Sequence, residues 1–249
     1  MDTNGRAKHG GRAGLLDGKT LRGSRSKEGT VHLVSAYAAQ ARLVLAKQSV
    51  DGKSNEITAI PLLLDLLDLH GAVVSIDAMG CQKSIAEQLV QGGGDYVLAL
   101  KDNHPQLGED VSLWLDTEAD KGYVVVHETV EKEHGRIELR RYVLSSGQTT
   151  TEHRYYLSTV MDLERFAEVM RGHWAIENCQ HWVLDVQFGE DANRARKDFS
   201  AENLALVRRM ALNIIRHNGP SKDSLRLRKL RASLNNNYRF ELIFGKPAT

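Results

Sequence analysis

A carboxylate at the end of an apolar run is the feature of this chain that most directly suggests chemistry. Val73, Val74 and Ile76 form a β-branched run that predicts a buried strand, and Asp77 ends it. A buried charge is costly unless something pairs with it, and ligands bind at the carboxyl ends of strands in open α/β sheets. Asp77 is therefore a candidate active-site residue.

Two further acids could reach the same place. Asp17 follows a short apolar segment, and Glu177 lies in a predicted helix. Three carboxylates with no dedicated base are oxygen donors of the kind that Mg²⁺ or Mn²⁺ prefers, and they fit phosphoryl transfer assisted by two metal ions. The segment 92–94 lacks the Lys and Ser/Thr of a nucleotide-binding glycine loop, so a phosphodiester is a better candidate substrate than a nucleoside triphosphate.

Two of these acids, Asp17 and Glu177, also have rival interpretations. Asp17 and Gly18 form a dipeptide that is common in turns. Glu177 could be a satisfied carboxylate on a partly buried amphipathic helix. On that helix His173, Glu177 and His181 follow one another at intervals of four residues and share a face, so they could bind a transition metal together. From the residues alone these alternatives stay open.

The elements that must position the acids are predicted from the hydropathy pattern. A short strand running into a turn is expected at 13–18, and further strands are predicted at 31–38, 42–50, 71–77 and 95–101. Helices are predicted at 57–69 and 84–91. Alternating strands and helices of this kind predict an α/β fold.

The second half of the chain adds a β-rich insertion and two helices. Strand candidates at 123–126, 136–144 and 154–160 define an insertion at about 120–153, before the helix that carries Glu177. Asp162 is a typical N-cap for that helix, and Ser200 opens another. The apolar face of this last helix is predicted to contain Leu204, Val207, Met210, Ala211, Ile214 and Ile215.

Charge is distributed unevenly along the 249 residues, although the net charge is only +1. Residues 1–30 carry 7 Lys and Arg against 3 Asp and Glu, residues 31–192 carry 13 against 25, and residues 193–249 carry 13 against 4. Basic ends suit a polyanion such as DNA, and an acidic middle suits a cation. The pattern divides the chain into a disordered basic N-terminus (1–14), one catalytic domain (15–218) and a basic C-terminal tail (219–249).

The composition excludes some classes of protein. Only 2 cysteines are present, Cys81 and Cys179, which favours reduced thiols over a disulfide framework. No apolar run reaches the length of a membrane span, and the N-terminus lacks a signal-peptide core. We therefore expect a cytoplasmic protein that does not contact a membrane.

Several longer motifs resemble those of one known family, the insertion-sequence transposases of the ISAs group, also called H-repeat-associated proteins. This family is a branch of the Asp-Asp-Glu transposases. The motifs are Asp17–Ser24 (DGKTLRGS), His32–Ala36 (HLVSA), Lys53–Pro61 (KSNEITAIP), Ser75–Gln82 (SIDAMGCQ), Gly94–Lys101 (GDYVLALK), His173–Asn178 (HWAIEN), His181–Val186 (HWVLDV) and Phe188–Asp191 (FGED).

The resemblance implies a ribonuclease H-like mixed sheet flanked by helices, with two Mg²⁺ (or Mn²⁺) ions held by Asp17, Asp77 and Glu177. It implies metal-dependent hydrolysis at a transposon end, followed by strand transfer into target double-stranded DNA, by a protein that acts as a homo-oligomer. The family resemblance and the character of the side chains together predict that DNA contacts come from Arg171, His173, Trp174, Asn178, His181, Arg208 and Arg209.

The chain also departs from the family pattern. Relatives have a segment before the first Asp that is missing here, and glycines interrupt the strand leading to Asp17, so a truncated transposase is expected. Around Glu177, the positions that often hold Tyr, Arg and Lys in the wider class hold Met170, His173 and Leu184. Two alternatives therefore stay open: a catalytically inactive DNA-binding remnant, and a general ribonuclease H-like nuclease.

Overall fold

The fold is built on a mixed β-sheet of six strands. The computed structural model describes residues 13–25, 29–50, 56–101, 104–110, 113, 141–143, 149–151, 155–220 and 222–245. Its strands are β1 (Ala13–Thr20), β2 (His32–Ala38), β3 (Leu43–Val50), β4 (Val73–Ile76), β5 (Asp95–Leu100), β6 (Arg141–Val143), β7 (Thr149–Thr151) and β8 (Tyr155–Ser158). The strand order in the main sheet is β3-β2-β1-β4-β5-β8.

The direction of the strands changes across the sheet. Strands β3, β2 and β1 form an antiparallel meander, β1, β4 and β5 run parallel, and β8 is antiparallel to β5. Strands β6 and β7 pair with each other as a separate hairpin inside the predicted insertion. The strand predicted at 123–126 lies outside the described residues, as do residues 1–12 of the predicted disordered N-terminus. Residues 13 and 14 belong to β1, so the prediction of disorder is wrong for these two residues.

Helices cover both faces of the main sheet, which confirms the predicted α/β class. They are α1 (Glu56–Leu64), α2 (Lys83–Gln91), α3 (Leu163–Ala175), a π-helical segment (Ile176–His181), α4 (Trp182–Phe188), α5 (Ser200–Asn218), α6 (Leu225–Leu234) and α7 (Asn236–Phe244). Helix α1 is shorter than predicted, since it ends at Leu64 rather than at residue 69. Asp162 caps α3 as predicted, because its Oδ1 accepts the Arg165 backbone N–H at 2.7 Å.

Alternating side chains of the strands divide the core between the two faces. On one face Leu16, Ile76 and Leu98 pack in a large buried cluster with residues of α1 and α2 such as Leu63 and Ile85. On the other face the strands pack against α3, the π-helical segment and α5 in three smaller clusters. These clusters contain Val73, Val97 and Val169; Leu15, Tyr37 and Ile176; and Leu21, Leu33, Ala201 and Ala205.

The predicted turn at Asp17 and Gly18 is wrong, because β1 continues through both residues to Thr20. Turn propensity is overridden here by pairing with β2, in which Asp17 lies opposite Ser35 and Gly18 lies opposite Val34. Gly18 is required for packing: a Cβ at this position would lie 2.6 Å from His32 Nε2 and would also overlap the Glu56 carboxylate. His32 and Glu56 are themselves joined by a contact of 2.5 Å, so neither can easily move away.

The predicted apolar face of α5 is largely wrong, although Ile215, one of its six predicted residues, is buried. Its buried residues are Ala201, Ala205, Arg209, Leu212 and Ile215, whereas Leu204, Val207 and Met210 are exposed. The small alanines allow α5 to approach the sheet, and Arg209 is accommodated by an ion pair described below. Periodicity of apolar residues could not anticipate a buried arginine.

Residues 219–249 do not form a simple basic tail. Most of the described part is helical, in α6 and α7. Leu242 of α7 is buried, and its carbonyl accepts a hydrogen bond of 2.6 Å from Asn218 Nδ2. Arg228 of α6 is buried too and donates to the carbonyls of Ile215 and Arg216. Within the described residues, none of the helices is both long and apolar enough to cross a membrane.

The steric requirement at Gly18 gives a testable consequence for stability. We expect Gly18→Ala to lower the free energy of unfolding by about 1–3 kcal/mol, because the added methyl group must displace His32 or Glu56. Gly172→Ala is the matched control. Gly172 lies in α3, and a Cβ there would lie 3.9 Å from the Cβ of Ala39, which is an ordinary van der Waals distance. Urea unfolding monitored by circular dichroism compares the two variants. Equal stability of both variants would contradict the packing role of Gly18.

Candidate active site

Strand pairing brings the first two acids together. Strands β1 and β4 run parallel, with Leu15 opposite Ser75 and Leu16 opposite Ile76. One further step in the same register places Asp17 beside Asp77. Because side chains alternate along a strand, both carboxylates project from the face on which Leu15 packs against the helix layer.

The third acid comes from the helix that crosses this face. Ile176 packs against Leu15 and Tyr37, which sets Glu177 over the end of the strands. One turn earlier, His173 Nδ1 is 2.9 Å from Ser75 Oγ and ties α3 to β4. Asp17, Asp77 and Glu177 consequently line one pocket. The other residues of its lining are Ser75, Ile76, Val97, Ala99, Lys101, Tyr156, Met170, His173 and Trp174.

A π-helical segment carries Glu177 within the otherwise continuous helix. Residues Ile176–His181 form this segment between α3 and α4. Segments of this type are rare and frequently occur at functional sites. The sequence predicts a regular helix here, because neither an N-cap nor side-chain spacing distinguishes an α-helical from a π-helical turn.

The two aspartates are each held by neighbouring groups. Asp17 Oδ1 accepts the Gly18 backbone N–H at 2.8 Å, and its Oδ2 is 3.4 Å from His181 Nδ1. Asp77 Oδ1 accepts the Ala78 backbone N–H at 2.6 Å and is 3.7 Å from Lys101 Nζ. These contacts orient both carboxylates toward the pocket.

Electrostatics single out Asp17 among the acids. Burial raises the pKa of Asp17 to about 7, and the negative charges of Glu177, Asp77 and Glu56 add to the increase. The hydrogen bond from Gly18 opposes the rise but does not cancel it. A carboxylate with this pKa is poorly stabilised as an anion by the protein alone, and a bound cation would relieve the repulsion.

The histidines beside the acids are neutral at physiological pH. The pKa of His181 is lowered to about 3, mainly by burial and in smaller part by the positive charges of Lys19 and Arg209. Its contact with Asp17, at 3.4 Å between Nδ1 and Oδ2, is therefore not an ion pair. Burial also lowers the pKa of His173, against the opposing effect of Asp77.

The donor chemistry of the pocket fits hard divalent cations, although the acids do not form a closed coordination cage. Across the described ranges, no three His, Cys, Asp or Glu side chains are close enough together to hold a metal ion as they stand. Carboxylate oxygens are nonetheless the ligands that Mg²⁺ and Mn²⁺ prefer. The rival transition-metal site gains no support, because His173 is engaged with Ser75 and His181 with Asp17.

A buried ionic network lies behind Asp17. Lys19 Nζ contacts Asp185 Oδ1 and lies 3.3 Å from Glu190 Oε2, while Glu190 Oε1 accepts from Arg209 Nη1 at 2.6 Å. Lys19 also contacts the His181 backbone carbonyl at 3.4 Å. The network therefore fastens β1 to α4, to the following turn and to α5. Sequence reasoning missed it, although Lys19 lies two residues after Asp17.

The residues predicted to contact DNA separate into three groups. His173 and Trp174 line the acid pocket, and His181 lies beside Asp17. Arg171 is exposed and Asn178 lines a different pocket, and neither belongs to the lining of the acid pocket. Arg208 is half-buried and donates to the Phe188 carbonyl at 3.3 Å.

The prediction for Arg209 is wrong. Only 2% of its surface is exposed, and its guanidinium pairs with Glu190, which is also buried. A side chain enclosed in this way has no route to a DNA phosphate. The neighbouring basic residues suggested a cationic surface because a helical sequence does not reveal which side packs inward.

Comparisons with known proteins agree with this architecture. A family model described as "Transposase DDE domain" matches residues 8–214. The chain is 35% identical to "Putative transposase YncI" of Escherichia coli O157:H7, over 92% of this chain and 68% of that protein. It is 33% identical to "H repeat-associated putative transposase YhhI" of Escherichia coli K12, over 92% of this chain and 71% of that protein.

A solved structure shares the fold at low sequence identity. It is the cryo-EM structure of the piggyBac transposase synaptic complex with hairpin DNA, with a TM-score of 0.51 and 11% identity. The similarity covers 96% of this chain and 55% of that chain. At this identity the likeness concerns the fold, and it confirms the ribonuclease H-like arrangement of the sheet and helices.

The ionic network predicts opposite outcomes for two adjacent arginines. We expect Arg209→Leu to lower the free energy of unfolding by about 3 kcal/mol, because it removes one partner of a buried pair and leaves Glu190 undercompensated. Arg208→Leu should change stability much less, since Arg208 is only half-buried. Urea unfolding measures both variants. Similar losses of unfolding free energy in the two variants would show that the ion pair between Arg209 and Glu190 does not stabilise the fold.

The raised pKa of Asp17 predicts an unusual pH dependence. Between about pH 4 and pH 7 the unfolded chain ionises this group while the folded chain retains the proton, so ionisation destabilises the folded state as pH rises. Asp17→Asn should therefore be more stable than the parent at pH 8 and should lose this advantage toward pH 4. Thermal unfolding in EDTA across this range tests the effect. A constant difference at all pH values would contradict the raised pKa.

Proposed function

The chain belongs to the Transposase DDE domain family, and on that premise we propose that it cleaves DNA at transposon ends and transfers the strand to target DNA. The observation that carries the proposal is the meeting of Asp17, Asp77 and Glu177 in one pocket. They come from two strands and a helix that are far apart in the sequence, and each would supply hard oxygen donors.

The three acids would hold divalent metal ions, as the family generally does, and we propose two Mg²⁺ or Mn²⁺ ions. When bound, such ions activate a water or a 3′-hydroxyl and stabilise the leaving oxygen. The neighbouring histidines would hold the acids and their elements in position. His181 lies against Asp17, with 3.4 Å between Nδ1 and Oδ2, and His173 fixes the helix of Glu177 to Ser75.

The proposed substrate is double-stranded DNA. Residues 193–249 carry 13 Lys and Arg against 4 Asp and Glu, which supports attraction of a polyanion to the helical C-terminal part. Trp174 lines the acid pocket and is proposed to contact the nucleotide there. Arg171, Asn178 and Arg208 remain proposed contacts outside the pocket. Assembly as a homo-oligomer on DNA and a cytoplasmic location also stay predictions.

The two alternatives make different demands on the pocket. A DNA-binding remnant would need no convergence of acids, so the shared lining supports an enzyme. A general nuclease would use the same acids but would cleave unrelated duplexes equally well. Cleavage confined to duplexes that carry a terminal repeat separates the transposase from both.

The direct test is cleavage of a duplex carrying the terminal repeat that flanks the gene, in the presence of Mg²⁺. Asp77→Asn should reduce the nicking rate at least about 100-fold, because it removes a negatively charged ligand without altering the fold. Glu87→Gln is the control, since Glu87 lies on α2, away from the pocket, and pairs with exposed Lys83. Undiminished nicking by Asp77→Asn would refute the proposed role of the acids. An inactive parent chain would favour the DNA-binding remnant.

A further inference from the structure

One lysine at the acid pocket has no role in the function proposed above. Lys101 lies immediately after β5 and lines the pocket together with Val97 and Ala99. These three residues are two positions apart, so the alternation of side chains along the strand puts them on one face. The parallel register of β4 and β5, with Ile76 opposite Leu98, brings this end of β5 next to Asp77.

We propose that Lys101 is a DNA-phosphate contact at the mouth of the acid pocket. The inference rests on the proposed function, since it assigns to that same site a residue that binds the backbone of its substrate. The ammonium group would pair with a phosphate oxygen next to the three acids and fix the position of the DNA strand there.

The first argument is the charge of the pocket. Asp17, Asp77 and Glu177 present carboxylates to a substrate that is itself a polyanion. Among the described residues that line the pocket, Lys101 is the one with a fixed positive charge. Its charge reaches the interior of the site, because it contributes to the lowering of the His173 pKa.

The second argument is that Lys101 is free to exchange its partner. Its Nζ lies 3.7 Å from Asp77 Oδ1, with the side chains of Lys101 and Asp77 exposed by 56% and 52%. An ion pair this exposed contributes little stability. Lys19 is different, since it is buried and held between Asp185 and Glu190. Lys19 is therefore structural, whereas Lys101 can release Asp77 and turn to a phosphate.

The salt dependence of DNA binding tests this inference without any need for cleavage. The probe is a fluorescent duplex carrying the terminal repeat that flanks the gene, titrated with the full chain in EDTA and in MgCl₂ at several KCl concentrations. The plot of log K against log salt concentration has a negative slope, and each phosphate contact that is lost reduces the magnitude of this slope by about 0.9. We expect Lys101→Gln to show this reduction and a several-fold weaker affinity, and Lys101→Arg to retain the parent slope.

Two control variants isolate the contribution of the Lys101 ammonium group. Lys83→Gln removes an exposed lysine on α2, on the opposite face of the sheet, and should leave the slope unchanged. The Asp77→Asn background separates a phosphate contact from simple neutralisation of Asp77. If Lys101 contacts phosphate, Lys101→Gln still lowers the slope in that background.

The outcomes that contradict the inference are distinguishable. An unchanged slope for Lys101→Gln, with normal binding by the parent chain, would overturn the role of Lys101 and leave the proposed function intact. Loss of the effect only in the Asp77→Asn background would assign Lys101 to charge neutralisation and also overturn the proposal. A parent chain that does not bind the duplex would overturn both the proposed function and this inference.

Discussion

The repulsion between three carboxylates in one pocket is the constraint on which this structure depends. Parallel pairing of β1 and β4 sets Asp17 beside Asp77, and the helix layer adds Glu177. The raised pKa of Asp17 reflects the free-energy cost of bringing the acids together in a buried place, since burial and like charges both disfavour its ionised form. A fold selected only for stability would not keep these groups together. Their convergence is best explained by a cation and a substrate that use them.

The surrounding structure opposes this repulsion by fastening the elements that carry the acids. Ser75 and His173 join β4 to α3, and the ionic network from Lys19 through Glu190 to Arg209 joins β1 to α4 and α5. Ser75 and His173 form part of the pocket lining, whereas the ionic network lies behind Asp17. The buried network supplies rigidity, while the exposed pair of Lys101 and Asp77 remains exchangeable. Charges that are fixed in the buried network and a cation that can exchange its partner at the pocket together suit a site for an anionic substrate.

The strands and helices that depend on a few adjacent residues could be predicted from the sequence. The apolar run before Asp77 indicated a strand, and Asp162 indicated the start of a helix, since strand hydropathy and N-capping depend on a few adjacent residues. The convergence of the acids was predicted from the ends of those elements and from a family resemblance. What failed depended on tertiary contacts. Gly18 is a strand residue because it pairs with Val34 of β2, and Arg209 is buried because of Glu190.

The central claim is that the acids of β1, β4 and the π-helical segment together form a site for hard divalent cations. Anomalous diffraction from crystals of this chain soaked in Mn²⁺ tests it most directly. The account predicts an anomalous peak in the pocket, within coordination distance of oxygens from Asp17, Asp77 and Glu177. Manganese bound only elsewhere on the protein, with this pocket empty at millimolar concentration, would contradict it.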